Sequence, residues 1–152
     1  MFQSVLIVLK FFYMLSKAIA LASKAFIGRK DKAGKPYILH CLRVMFSVDQ
    51  KDEELMQIAV LHDLLEDCPE YHDLVLYKMG FSKRVVTTIE VLTHDKSVSY
   101  EDYIKKIALN ADARQIKLAD LKDNSDITRL KGLRKKDFDR MEKYLWAFTY
   151  LS

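Results

Sequence analysis

The chain has 152 residues, half of them apolar, with four Gly, two Pro and a formal charge of +4. That length suits one domain around a single core, and so few turn formers exclude a turn-rich β architecture. Charges of both signs are spread along the chain, which excludes a nucleic-acid-binding stripe and leaves an anionic small molecule as a partner.

Met1 to Leu15 is almost wholly apolar, interrupted by Gln3, Ser4 and Lys10. No Lys or Arg precedes the run, so it does not read as a secretory leader, and it is too short to span a bilayer. It reads as residues 1–15 of a first helix, Ser4 to Ile27, packed on the core or on a partner subunit of an oligomer. A peripheral membrane anchor, or an upstream extension of a chain starting at Met14, are the alternatives. Gly28 stops the helix, and Arg29 to Lys35 form a polar loop turning at Gly34. Pro36 opens a second helix through Tyr37, His40, Val44 and Val48. The two cysteines, Cys41 and Cys68, make neither a CxxC pair nor a disulfide framework, so free thiols in a reducing cytoplasm are expected.

A third helix is predicted over Asp52 to Glu66, closed by Pro69. Leu55, Ile58, Ala59 and His62 share its inner stripe. Glu66 and Asp67 follow His62 and Asp63 by one turn, so a histidine and three carboxylates crowd one helix end. A solvated helix end would account for such a run taken alone. A short helix over Tyr71 to Met79 ends at Gly80, and Ser82 caps another over Lys83 to Leu92. Ser99, with Asp102 three residues on, caps a helix to Leu109. Ala111 to Leu130 is the next, and Lys135 to Tyr150 the last, with Phe138, Met141, Leu145 and Phe148 as its inner stripe. No alternating strand pattern and no repeat occurs, so the class is all-α.

In the Ala111 helix one face carries Ile116, Ala119, Asp120, Asp123, Asn124 and Ile127, so polar groups interrupt an apolar stripe. His40 does the same on the second helix. A desolvated carboxylate needs a cation or donors. Three inward stripes, each broken by a His or an Asp, make an N/O set suited to a divalent first-row ion such as manganese, with zinc, iron or nickel as alternatives.

These residues occur in the order His40, His62-Asp63, Asp120, within Gly34-x-Pro36-Tyr37-Ile38-x-His40, Leu61-His62-Asp63-x-x-Glu66-Asp67 and Ile116-Lys117-Leu118-Ala119-Asp120-x-x-x-Asn124. From about Ala20 to Leu130 the chain resembles the HD-domain phosphohydrolases, and among them the hydrolase domain of the RelA/SpoT proteins and its small stand-alone relatives. The resemblance implies a single HD-type helical bundle over 1–152, without a synthetase half. It also implies a manganese-dependent hydrolase that removes the 3′-pyrophosphate of guanosine tetra- and pentaphosphate. His40, His62, Asp63 and Asp120 would hold the metal, Glu66 and Asp67 would orient and deprotonate water, and Tyr37 and Asn124 would face the nucleotide. Lys32, Arg29, Lys30 and Lys122 are candidates for the pyrophosphate. In the gapless alignment a family Arg-Lys pair falls on Asp31-Lys32, whereas a two-residue insertion would place it on Arg29-Lys30. Two residues after Asn124 a usual Arg is Asp126, for which Arg129, one turn on, is the expected substitute. The usual His and Gln at the end of helix 1 appear as Phe26 and Arg29. The rival functions are hydrolysis of NADPH or another nucleotide at the same centre, a nucleotide-binding module without turnover, and a membrane-associated interaction protein.

Overall fold

A computed structural model describes the backbone of residues 2–152 and the side chains of residues 13–152. Its helices are α1 (Phe2–Ala25), α2 (Ile38–Phe46), α3 (Glu53–Leu61), α4 (Leu64–Asp67), α5 (Asp73–Lys78), α6 (Lys83–Leu92), α7 (Tyr100–Ala108), α8 (Ala111–Asn124) and α9 (Lys135–Leu151), with a 3-10 turn over Ile127–Arg129. Among the described residues the one extended pairing is an antiparallel bridge between Lys30 and Pro36, which closes the loop after α1 into a small hairpin. Gly34 turns that hairpin at φ +78°, where a side chain would be strained. The all-α expectation holds.

The bundle is built round α3. Leu55 to Leu61 are all buried, because α1, α2, α6 and α8 cover this short helix on every side. Asp52 starts it by accepting a hydrogen bond from the Leu55 N–H, and the same carboxylate takes two bonds from Arg84. Arg84 of α6 also forks onto Asp112 in the first turn of α8, so one guanidinium ties the starts of three helices together. Ser82, Ser99 and Asn110 cap α6, α7 and α8 as their side chains allow.

Three sequence expectations are corrected. The third helix does not run unbroken to Glu66; it stops at Leu61, and α4 restarts at Leu64 after the His62-Asp63 step. The Ala111 helix ends at Asn124 rather than Leu130, because Asp126 caps the 3-10 turn by accepting from the Thr128 N–H. The inner stripe of the last helix is Asp137, Tyr144, Ala147 and Leu151, with Phe138, Leu145 and Phe148 outside at 58%, 67% and 38% exposure and Met141 half-buried. That helix is apolar on two faces, and the pairing with α7 and α8 selects the narrower one. The expectation for the apolar stretch at residues 1–12 concerns side chains outside the described residues. Of its remainder, Tyr13 is exposed and Met14 and Leu15 pack on the core. No helix among the described residues is long and apolar enough to cross a membrane.

Ile58 has no exposed surface and lies at the centre of α3, where neighbours on all sides leave little room to collapse into a void. Ile58→Ala is expected to cost ~2–5 kcal/mol of unfolding free energy, read as a lower urea midpoint at unchanged slope.

Candidate metal centre

Adjacent side chains on a continuous helix point about 100° apart. His62 and Asp63 nevertheless meet, with Nε2 of one 2.8 Å from Oδ2 of the other. The break between α3 and α4 makes this possible: Asp63 sits at φ −98°, ψ 2°, outside the helical basin, and swings its carboxylate back over the imidazole. From α2, His40 brings its Nε2 to 3.3 Å from that of His62 and 3.7 Å from Asp63 Oδ2. From α8, Asp120 Oδ1 lies 3.3 Å from His40 Nε2 and 3.6 Å from His62 Nε2. The structure thus brings together all four of the side chains expected to hold a metal.

The donor set fits a divalent ion. Two ligands at ~2.1 Å from one ion and at right angles to each other stand about 3 Å apart, close to the spacings just given. His40, His62 and Asp63 offer ligand atoms that all lie within 4.8 Å of one another, and Asp120 joins by reaching both imidazoles. The imidazoles are aimed from behind. His62 Nδ1 lies 2.7 Å from the Ala59 carbonyl oxygen, and His40 Nδ1 lies 2.6 Å from Asp123 Oδ2. With these oxygens as acceptors for Nδ1–H, the ligating tautomer of each ring presents Nε2 to the cluster. Tyr37 donates its hydroxyl to Asp63 Oδ2 at 2.6 Å, Lys117 donates to Asp120 Oδ2 at 2.8 Å, and Asn124 donates to Asp120 Oδ1.

The electrostatics follow from this crowding. Burial works against a charge on His40, but hydrogen bonds to Asp120, Asp123 and Asp63 prevail and push its pKa up to about 11. His62 is likewise buried, and Asp63 and Asp120 raise it to about 9. Burial also opposes ionisation of Asp63 and Asp120, yet the imidazoles, with Lys117 beside Asp120, hold both well below the usual carboxylate range. Burial and the neighbouring Asp63 push the Tyr37 phenol far up, so it acts only as a donor.

A cavity of about 400 Å³ opens over the cluster, within the range of small-ligand sites. Tyr37, His40, Asp63, Glu66, Asp120 and Asn124 reach it from the sequence-predicted set, as do Lys30 and Lys32. Glu66 lies at its edge and accepts from the His94 N–H at 3.1 Å. Other expected residues lie elsewhere. Asp67 turns to Arg29, whose Nη2 donates to its carbonyl and whose Nη1 is 3.4 Å from its carboxylate. Arg129 is spent on Asp31 and Asp123, at 3.0 and 3.2 Å. Lys122 is exposed on the far side of α8, beside α9. None of these four lines the cavity. Asp31 is no bare negative charge either: the N–H groups of Ala33 and Lys35, with Arg129, donate to it.

Several lining residues were not singled out from sequence: His94, Tyr100, Tyr103, Lys117, Lys143 and Tyr144. His94 stacks on Tyr103 with ring centres 4.5 Å apart, and Lys32 donates to the Tyr144 hydroxyl at 2.9 Å. Lys117 alone carried a signal, since it lies one turn before Asp120.

The surrounding carboxylates favour the protonated form of each ring, whereas an imidazole that ligates through Nε2 must give up the proton there. Loading a divalent ion at pH 7 should therefore release protons, seen by calorimetry in buffers of different ionisation enthalpy, and affinity should fall as pH falls. The sign is opposite for the metal-free fold. Raised histidine pKa values stabilise it fully below the ordinary value near 6.5, and that stability should fade as pH rises through about 9 and towards about 11. Thermal melts with chelator across that range check it.

No protein-family model matches the chain. The guanosine-3′,5′-bis(diphosphate) 3′-pyrophosphohydrolase of Aquifex aeolicus (strain VF5) is 30% identical over 119 residues, which is 74% of this chain. The chain spans only 17% of that protein's length. A solved structure of a metazoan ortholog of SpoT that hydrolyses ppGpp and plays a role in starvation responses superposes with a TM-score of 0.73 at 22% identity, over 91% of this chain and 84% of that one. In sequence and in fold, the chain resembles the HD-type hydrolase domain of the RelA/SpoT proteins.

Proposed function

We propose that the chain, as a single HD domain, is a metal-dependent phosphohydrolase that removes the 3′-pyrophosphate of guanosine tetra- and pentaphosphate, with manganese as the ion. The observation that carries this reading is the convergence of His40, His62, Asp63 and Asp120 beneath a cavity whose rim holds Glu66 and four lysines. The similarity to a 3′-pyrophosphohydrolase supports the choice of substrate. Two buried free thiols, Cys41 and Cys68, suit a reducing cytoplasm.

A divalent ion held by the two histidines and two aspartates supplies Lewis acidity, which makes water a better nucleophile near neutral pH and offsets phosphoryl charge. The protein's own groups do the rest. Glu66 takes the proton of the attacking water, with one carboxylate oxygen held by the His94 N–H and the group left open to the cavity. Water adds hydroxide to phosphorus and a proton to the 3′-oxygen, so the nucleotide leaves with a free 3′-hydroxyl and pyrophosphate is released. Lys30, Lys32 and Lys143 attract the phosphates as point charges, while Lys117 holds Asp120. The rings of Tyr100, Tyr103 and Tyr144 offer apolar faces to a base, and Asn124 and Tyr37 place polar groups beside it. Asp67 is assigned to holding Arg29 rather than to proton transfer.

A second reading has a specific observation in its favour. Arg29 and Arg129, the expected forks for a substrate with two pyrophosphates, are both engaged by carboxylates. A less phosphate-rich nucleotide such as NADPH or a nucleoside phosphate needs fewer such donors.

Product release from a panel of ppGpp, pppGpp, NADPH and nucleoside phosphates with Mn²⁺ separates the two. The guanosine substrates are expected to rank first, and a higher kcat/KM for another nucleotide would move the assignment while leaving the hydrolase reading in place. Glu66→Gln should lower kcat by ~100-fold or more with Mn²⁺ affinity retained, as for loss of a general base, whereas Asp63→Ala should lose both.

A further inference from the structure

Asp123 belongs to no motif quoted above, yet its carboxylate meets one histidine and two arginines. Its Oδ2 is 2.6 Å from His40 Nδ1. Arg43 forks onto it, with Nε 2.6 Å from Oδ1 and Nη2 3.0 Å from Oδ2. Arg129 adds a bond from Nη2 to the Asp123 carbonyl oxygen at 2.8 Å. Both arginines then continue to Asp31, Arg129 at 3.0 Å and Arg43 at 3.5 Å. Asp31 is the residue that closes the hairpin, accepting from the N–H groups of Ala33 and Lys35 at 2.9 Å each.

We propose that Asp123 is the positioning residue of the metal centre, and that through Arg43, Arg129 and Asp31 it makes the order of the hairpin over residues 30–36 depend on metal loading. Two physical points carry this. A metal-ligating imidazole needs its far nitrogen fixed by an acceptor, and a carboxylate at 2.6 Å fixes both tautomer and ring angle. That carboxylate cannot drift, because three nitrogens of two arginines hold it and the second carboxylate, Asp31, keeps those arginines in place. The same clamp read outward fixes Asp31, and hence the segment that presents Lys30 and Lys32 to the cavity. An ion on His40 Nε2 therefore stiffens a loop on the opposite side of the imidazole. Asp123 touches neither ion nor substrate and acts only through His40 and the arginines.

This rests on the metal reading above, and the test separates the two. Mn²⁺ binding is measured by calorimetry on the unaltered protein, Asp123→Asn and Arg129→Met, with chelator-treated melting temperatures alongside. Asp123→Asn is expected to bind Mn²⁺ ~10–100-fold more weakly, as for loss of an outer-sphere carboxylate. A merely structural role would lower the metal-free melting temperature and leave Mn²⁺ affinity unchanged. By hydrogen exchange, Mn²⁺ should slow the Ala33 and Lys35 amides in the unaltered protein and do so far less in Arg129→Met, where the link to Asp31 is cut. An Asp123→Asn protein that binds Mn²⁺ within threefold of the unaltered one overturns the proposal, as does Mn²⁺ leaving those two amides unchanged. If Asp123→Asn does not fold, the exchange comparison decides alone. If the unaltered protein takes up no divalent ion, the metal reading and this proposal fall together.

Discussion

Two carboxylates and two imidazoles face one another in the interior of this bundle, and their mutual neutralisation governs the architecture around them. Asp63 and Asp120 are held well below the usual carboxylate range by His40 and His62 and, at Asp120, by Lys117 as well. The buried carboxylates need a compensating cation, and a mixed imidazole–carboxylate donor set suits a divalent first-row ion. Each surrounding element pays toward that arrangement: α3 stops early, α8 gives up its apolar stripe, and the packing of α2 accepts a buried ring.

Much of this was legible in the sequence, for a local reason. His40, Asp120 and the run from His62 to Asp67 are recognised because helical periodicity places each on an inward stripe, and a polar residue on such a stripe is conspicuous. Convergence of three conspicuous stripes needs no knowledge of how the helices cross. The break after Leu61 was not legible, since no Gly or Pro marks it, and the step instead coincides with the meeting of His62 and Asp63 in the cluster.

Long side chains were the least legible. Arg29 pairs with Asp67, 38 residues on, and Arg129 with Asp31, 98 residues back. Such choices depend on which loops end up adjacent, and a linear alignment assigns these arginines to phosphates because nothing in it shows the competing carboxylates. The same holds for the aromatic wall from α7 and α9, whose Tyr100 and Tyr144 meet only once both helices have docked. On α9 itself, apolar residues on two faces made the inner stripe ambiguous, and Phe138, Leu145 and Phe148 remain on the outside.

Asp120, Asp123 and Asn124 work from one helix, and each depends on the angular phase of α8 relative to its cap at Asn110. Adding or removing one residue between them would rotate all three by about 100° and trade them for their neighbours. Lengthening the polar segment after Leu130 would rotate none of these three. The stretch from Asn110 to Asn124 therefore acts as a ruler, and an insertion within it costs the site more than one in the connection after it.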